Sequence, residues 1–290
     1  MIIVDLNQTM ISNIMMQINV NETNSIDIDM LRHMVLNAIR AYKQKFSAEY
    51  GELVIACDTT NYWRRQLFPY YKASRRAQMD KSNLDWNGIF NALNQIRKEI
   101  KEFFPYRVVE VDRAEADDII ATLVNKYANN EKIMILSGDK DFVQLQRFPN
   151  VSQYDPVRKR ELSTLNPQQF LLEHIFKGDA GDGIPNVLSA ANSFVNKVRQ
   201  KPITTKRLAA WCGFNGMPSA EFAELCNNDP TIKYNYERNK TLIDLSFVPT
   251  DLSDQIISEY HGQGGKDRSK LLNYFIDNKL RHLMENLSDF

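Results

Sequence analysis

Residues 107–120 read RVVEVDRAEADDII, a β-branched run that ends in an acid and gives way almost at once to an acid-rich helix start. Such a run followed by helical periodicity is the local signature of a βα unit in a mainly parallel sheet. Working outward, Ile2–Asp5 (IIVD), residues 53–58 (LVIACD) and residues 132–137 (KIMILS) repeat it, and their near-continuous apolar character predicts strands buried on both faces. Residues 27–46, 85–104 and 114–127 carry apolar side chains at i, i+3, i+4 spacing, as in Leu31, Val35, Ile39 and Tyr42, which predicts helices packed on that sheet. The expected architecture is an α/β domain over residues 1–165, a mainly parallel central sheet flanked by helices.

Beyond Asn166 the strand signals fade. Pro167 behind Asn166 marks a helix start, and helices are predicted over residues 167–177, 186–198, 231–245, 252–260 and 269–287, a helical region spanning 166–290. The chain shows no internal repeat, and His261 to Gly265 (HGQGG) is its one obvious flexible loop.

The 290 residues are 43% apolar and 25% charged, which excludes a disordered, collagen-like or long coiled-coil chain. Lys plus Arg and Asp plus Glu both total 36, so no whole-molecule field draws the chain to nucleic acid or an acidic membrane. Any basic surface must be local. Cys57, Cys212 and Cys226 are odd in number and widely spaced, which excludes a disulfide framework and a zinc ribbon and suits a reducing cytoplasm. Asn7, Gln8, Thr9, Ser12, Asn13, Gln17 and Asn19 interrupt the uncharged N-terminal stretch, so no signal peptide or membrane span is expected there.

Ligands of a parallel sheet bind in the crevice outside the carboxyl ends of its strands. Here those ends are acidic: Asp5 closes the first strand, Asp58 the second, Glu115, Asp117 and Asp118 open the helix after the third, and Asp139 and Asp141 follow the fourth. One acid at a helix start is ordinarily a cap. Acids at four strand ends repel and raise one another's pKa values unless cations compensate, and an all-oxygen donor set favours Mg²⁺ or Mn²⁺. Asp179 and Asp182 add a pair in KGDAGDGIP; EF-hand numbering from Asp179 places Ala190 where a bidentate Glu belongs, leaving an Asp-Gly turn as the plain reading. There is no P-loop and no GxSxG elbow, and His33, His174, His261 and His282 read as surface or half-buried residues. Cys57, Trp86 and Trp211 read as packing residues.

The local basic surface lies between Asn61 and Lys81. Arg64, Arg65, Lys72, Arg75, Arg76 and Lys81 stand against Asp80 alone, interleaved with Tyr62, Trp63, Phe68, Tyr70 and Tyr71. Cations that hold phosphates beside rings that stack on bases suit nucleic acid, with a solvated loop over buried aromatics as the alternative. A Mg²⁺ phosphatase would need a second acid at Asn7, and a non-cleaving binder of branched DNA would have no use for the carboxylates.

In their order, Asp5, Asp58, Trp63-Arg64 through Tyr70-Tyr71-Lys72-Ala73-Ser74-Arg75, Glu115-Ala116-Asp117-Asp118, Gly138-Asp139-Lys140-Asp141 and Gly178-Asp179-x-x-Asp182 resemble the motifs of the 5′ nuclease or flap endonuclease family. That family includes the 5′ nuclease domain of bacterial DNA polymerase I. The resemblance spans essentially the whole chain and is strongest to the phage ribonuclease H branch, which shares the lack of a GIGxKTA turn after Pro185; bound K⁺ is therefore not expected.

The resemblance implies a PIN-like nuclease fold and a structure-specific, Mg²⁺-dependent 5′ to 3′ nuclease acting on RNA primers and DNA flaps, with two ions and no organic cofactor. Asp5, Asp58, Glu115 and Asp117 would form one metal site, and Asp139, Asp141 and Asp182 the other, with Asp118 and Asp179 as outer members. Arg64 and Lys72 would contact the scissile phosphate beside Asp117, and Tyr71 would stack on a terminal base. Arg65, Arg75, Arg76, Lys177, Gly178 and Gly183 would contact nucleic acid. Residues 62–82 would form an arch, and 176–199 a helix-turn-helix gripping duplex. RNA–DNA hybrid and branched DNA would be substrates, and a single-stranded-DNA-binding protein or sliding clamp a partner.

Overall fold

The computed structural model describes residues 1–21 and 26–290. In chain order its elements are β1 (Ile2–Asp5), α1 (Leu6–Asn21), α2 (Ile28–Tyr50), β2 (Leu53–Ala56), α3 (Trp63–Leu67), α4 (Ala73–Met79), α5 (Trp86–Phe103), β3 (Arg107–Val109), α6 (Ala116–Tyr127) and β4 (Ile133–Leu136). A 3₁₀ helix over Lys140–Arg147 leads to β5 (Val151–Asp155), β6 (Arg160–Leu162) and α7 (Pro167–Lys177). The remainder is α8 (Thr205–Trp211), α9 (Ala220–Asn228), α10 (Pro230–Ile243), α11 (Thr250–Gly262), α12 (Leu271–Asp277) and α13 (Arg281–Met284).

The six strands lie in the order β3-β2-β1-β4-β5-β6, parallel except for β6. Asp5 pairs in register with Ala56, and Val4 with Leu136, so β1, β2 and β4 end level with one another. The chain steps from β1 through β2 to β3 on one side and resumes with β4 on the other. The crevice above β1 is therefore the topological switch point.

Alternation along each strand feeds two cores. Ile2, Val4, Ile55, Val108 and Leu136 pack under α1, α2 and α5, while Ile3, Val54, Val109 and Ile135 pack under α6 and α11. A third core, built on Phe176, Trp211, Phe222 and Tyr236, joins α7 through α10 and takes in Phe68 and Tyr71 from the basic segment.

Several expectations need correction. Residues 186–198 form turns rather than a helix, so of the helix-turn-helix expected over 176–199 only the end of α7, up to Lys177, is helical. Side chains take the backbone partners a helix would need: Asn186 Oδ1 accepts from Leu188 N–H at 3.1 Å, and Ser193 Oγ donates to Ala190 O at 2.6 Å. The expected helix over 269–287 breaks at Lys279, whose φ of 55° is left-handed. The predicted strand over 107–112 stops at Val109, and β5, β6 and α1 carry no strand or helix signal that the pattern reading detects. The C-terminal residues also divide. Leu252, Ile256 and Tyr260 return to the core under α6, and Leu271, Phe275, Leu283 and Phe290 to the core beside α2 and α5. Among the described residues no helix is long and apolar enough to cross a membrane.

Candidate active site

The level ends of β1, β2 and β4 place acids on the floor of one cleft of ≈ 1610 Å³, lined by Asp5, Asp58, Asp117 and Asp139 below and Lys72, Arg75 and Arg76 above. Asp5 is 7% exposed. Its oxygens accept from Gln8 N–H at 3.0 Å and Ser137 Oγ at 3.2 Å. Asp58 is held by Ala116 N–H and Asn7 Nδ2, both at 2.6 Å, so the start of α6 and the start of α1 fix its carboxylate from two sides. Asp139 caps the following 3₁₀ turn through Asp141 N–H at 3.0 Å.

These acids are short of positive charge. Burial, then Asp58 and Asp139, push the Asp5 carboxyl up to about 7. Burial and Asp141 push Asp139 up to about 6, and burial with Asp139 holds Asp117 well above the carboxylate range. Asp58 and Asp182 are raised by burial despite Lys72 nearby. A crowd of oxygen donors destabilised in its charged form fits hard divalent cations, which would restore the anions.

Glu115 stands apart. It is 1% exposed and meets Arg64 Nη1 at 2.8 Å, Lys72 Nζ and the Tyr71 hydroxyl. Burial would raise its pKa, but Lys72 and Arg64 hold it below the usual range. Asp118, fully buried, accepts from Glu115 N–H at 2.9 Å and Trp63 Nε1 at 3.1 Å and pairs with Arg64 Nη2 at 2.8 Å. Glu115 and Asp118 thus close a capping box at the head of α6 and lock α3 to it.

This geometry corrects three expectations. Arg64, 2% exposed, spends its guanidinium on Glu115, Asp118 and Leu242 O and presents no face to a phosphate. The Tyr71 ring is buried, with its hydroxyl 2.9 Å from both Glu115 and Asp182, so it cannot stack on a base. Gly178 and Gly183 are buried as well; a Cβ on Gly178, at φ 68°, would lie 2.3 Å from Ile184 O, so that glycine serves a close backbone approach.

The exposed cations of the expected set are Arg65, Arg75, Arg76 and Lys177, the last paired with Glu173 at 2.9 Å. Arg75 Nη2 reaches Asp182 Oδ1 at 2.6 Å, and Lys72 N–H donates to Asp182 O at 2.7 Å, clasping the basic segment to the turn after α7. Lys72 is half-buried and lines the cleft; burial opposes its charge, but Asp182, Glu115 and Asp117 hold its pKa well above the lysine range.

Sequence reading missed three features. Trp86 lines the cleft with the exposed Phe90, ring centroids 5.9 Å apart; the i, i+4 spacing was visible but looked like core. Arg97 donates to Asp58 O at 3.1 Å and pairs with Glu110. His174, read as surface or half-buried, is 7% exposed between Asp141 and Asp179, at 3.2 and 3.1 Å. Only its position one turn before Gly178-Asp179 hinted at this.

A parallel sheet with acids at its switch point, beneath a segment of arginine and lysine, defines the class of phosphodiester-cleaving nucleases. Residues 2–174 match the family model of the 5′-3′ exonuclease N-terminal, resolvase-like domain, and residues 167–290 the C-terminal model of T4 RNase H. The chain belongs to the 5′-3′ exonuclease family. It is 29% identical over 283 residues to the ribonuclease H of Enterobacteria phage T4, covering 94% of this chain and 90% of that protein. It is also 29% identical to the flap endonuclease Xni of Shewanella woodyi, covering 60% of this chain and 69% of that one. The fold is shared with a bacteriophage T5 protein crystallised with metal ions, at a TM-score of 0.64 and 18% identity over 90% of this chain and 98% of that one. It is shared as well with a T5 flap endonuclease complexed with DNA and metal ions, at a TM-score of 0.63.

Proposed function

We propose that this nuclease removes RNA primers and DNA flaps from 5′ ends, acting 5′ to 3′ on RNA–DNA hybrid and branched duplex in a cytoplasmic replication setting with two Mg²⁺ ions. The observation that carries this is the convergence of Asp5, Asp58, Asp117 and Asp139 on the floor of one cleft roofed by Lys72, Arg75 and Arg76. Asp5, Asp58, Asp117 and Asp139 would hold one ion, with Glu115 behind them, and Asp139, Asp141 and Asp182 the second; Mn²⁺ should substitute. Bound there, such ions supply Lewis acidity and charge neutralisation to phosphodiester hydrolysis.

The chain's own residues bind and orient. Lys72 presents its ammonium to the cleft and would meet the scissile phosphate on leaving Glu115. Arg65, Arg75 and Arg76 line the cleft and would grip flanking phosphates, adding salt dependence to binding. Arg64 and Tyr71 position Glu115 from behind. A contact with a single-stranded-DNA-binding protein or sliding clamp belongs to the same reading. It is tested by pull-down with the intact chain, because truncation after Lys279 would strip Leu280, Leu283 and Phe290 from the core.

Asp117→Asn and Lys72→Ala, assayed on a 5′-labelled RNA-primed duplex with Mg²⁺, test the proposal. Both should lose most cleavage while still binding the duplex. Near wild-type cleavage by both overturns the assignment. A wild type that releases phosphate only from small esters favours a phosphatase, and one that only shifts the duplex in a gel favours a binding module.

A further inference from the structure

We infer that Trp86, supported by Phe90, is a stacking platform for an unpaired nucleobase of the 5′ strand. The inference deepens the nuclease reading and rests on it, because it assigns where the single-stranded part of that substrate lies.

The lining of the main cleft is of two kinds. Asp5, Asp58, Asp117 and Asp139 form its floor, whereas Met10, Ile11, Met79, Trp86, Phe90 and Leu93 line the same space with apolar surface. Divalent ions and phosphates have no use for such a wall. A nucleobase does: every base has a π-face, and stacking on an aromatic side chain is tolerant of sequence. Lys72, Arg65, Arg75 and Arg76 line the same cleft and supply the phosphate contacts that a strand lying along the wall requires.

Three aromatic rings line the cleft, those of Tyr62, Trp86 and Phe90. Tyr62 is already taken, with Arg65 and Lys72 over its ring at 5.5 and 5.2 Å from the centroid. Trp86 and Phe90 remain, and Phe90 is 42% exposed, a ring that core packing leaves uncovered. The two lie one turn apart on α5, with centroids 5.9 Å apart and planes inclined by 35°. A base held between two rings needs roughly 7 Å of parallel spacing, twice the rise per base of a nucleic-acid strand. The pair is too close and too tilted for that. The base therefore lies on the open face of the indole, the larger ring, and Phe90 supports the indole from the side.

The platform is preorganised. Asp85 caps α5 by accepting from Gly88 N–H at 3.0 Å, which fixes Trp86 as the first helical residue. Trp86 Nε1 donates to Ser82 Oγ at 2.6 Å, and Ser82 Oγ donates to Met79 O at 2.9 Å, tying the indole to the end of the basic segment that roofs the cleft. Trp86 also packs against the core beside α2 and α5. A ring already held in this way loses little side-chain freedom when a base binds.

Indole fluorescence tests this directly, because the other two tryptophans, Trp63 and Trp211, are 5% and 2% exposed. In Asp117→Asn with Mg²⁺, a duplex carrying a single-stranded DNA 5′ flap should quench the emission; a blunt duplex, or the same flap built from abasic sugars, should quench it far less. Trp86→Phe in that background, which keeps an aromatic face, should lose the quench and still bind the flap nearly as tightly. Trp86→Ala should weaken flap binding about fivefold or more, the worth of one stacked base, and leave blunt-duplex binding unchanged. Equal quenching by the abasic flap or the blunt duplex overturns the proposal without recourse to any Trp86 variant. So does Trp86→Ala that weakens the blunt duplex as much as the flap, since that marks a purely structural role. Wild-type cleavage of the flap with no quench in Asp117→Asn removes the platform alone, whereas a quench in a protein that does not cleave removes the nuclease reading.

Discussion

Asp117 and Asp118 are neighbours on α6 that meet opposite surroundings. Asp117 turns to the cleft, where burial and Asp139 make its charge unfavourable. Asp118 turns inward with Glu115 to a knot of Arg64, Trp63, Lys72 and Tyr71. A helix rotates about 100° per residue, so one acidic stretch can feed both. The charge balance of each place assigns its role: the knot carries its own counterions and holds the protein together, whereas the floor lacks them and is poised to take cations from outside.

The knot should give the larger response to mutation. Arg64→Ala leaves two buried carboxylates facing each other, and breaking such a cluster costs roughly 3–5 kcal/mol. Urea unfolding of the metal-free protein should show this loss; a change under about 1 kcal/mol would remove the distinction between the two regions. Asp117→Asn should do the reverse. Cleavage should fall by roughly 10²–10³, the range seen when one electrostatic group of an active site is lost. The metal-free melting temperature should hold or rise, because a repelling charge is gone. A melting temperature that drops as far as that of Arg64→Ala would place Asp117 in the scaffold.

Acidity separates the regions next. Asp5 and Asp139 are raised from an ordinary 3.8 to about 7 and about 6, so between those values the folded state holds protons that the unfolded chain has released. Stability of the metal-free protein should therefore fall as pH rises through that window. His174, raised from 6.5 to about 9 by the carboxylates of Asp141 and Asp179 against the pull of burial, extends the fall upward. The loss from about pH 5 to about pH 8 should be roughly 4 kcal/mol from the two carboxyls and roughly 2 kcal/mol from His174, and millimolar Mg²⁺ should cancel most of the carboxyl share. A melting temperature that climbs with pH in chelator would contradict the charge deficit on the floor.

The floor was legible in the sequence because strand ends are. Parallel strands with level carboxyl ends bring Asp5, Asp58 and Asp139 together whatever their spacing in the chain, and the helix after β3 adds Asp117 by its register. The knot was not legible. Arg64 and Tyr71 sit in a segment whose charge and aromatic content suit nucleic acid, and nothing in the letters says which cation turns inward; that is decided by Glu115 and Asp118, about fifty residues away. The turns over 186–198 escaped for a local reason: apolar spacing there is helical, but Asn186, Ser189 and Ser193 compete for the backbone.

Tyr71 gives the smallest effect and the sharpest division. If its ring stacked on a base, Tyr71→Phe would keep the stack and change little. In the knot the phenolic proton is what counts, because the hydroxyl lies 2.9 Å from both Glu115 and Asp182 and joins the scaffold to the turn that carries Asp182. Removing a hydrogen bond to a charged acceptor costs roughly 1.5 kcal/mol at the low end. Tyr71→Phe should lose about that much stability in urea unfolding, while the KM for a 5′-labelled duplex stays unchanged and kcat falls modestly as Asp182 loosens. A rise in KM with stability intact would instead put the phenol on the substrate side, and the boundary between knot and floor would then have to be redrawn through Tyr71.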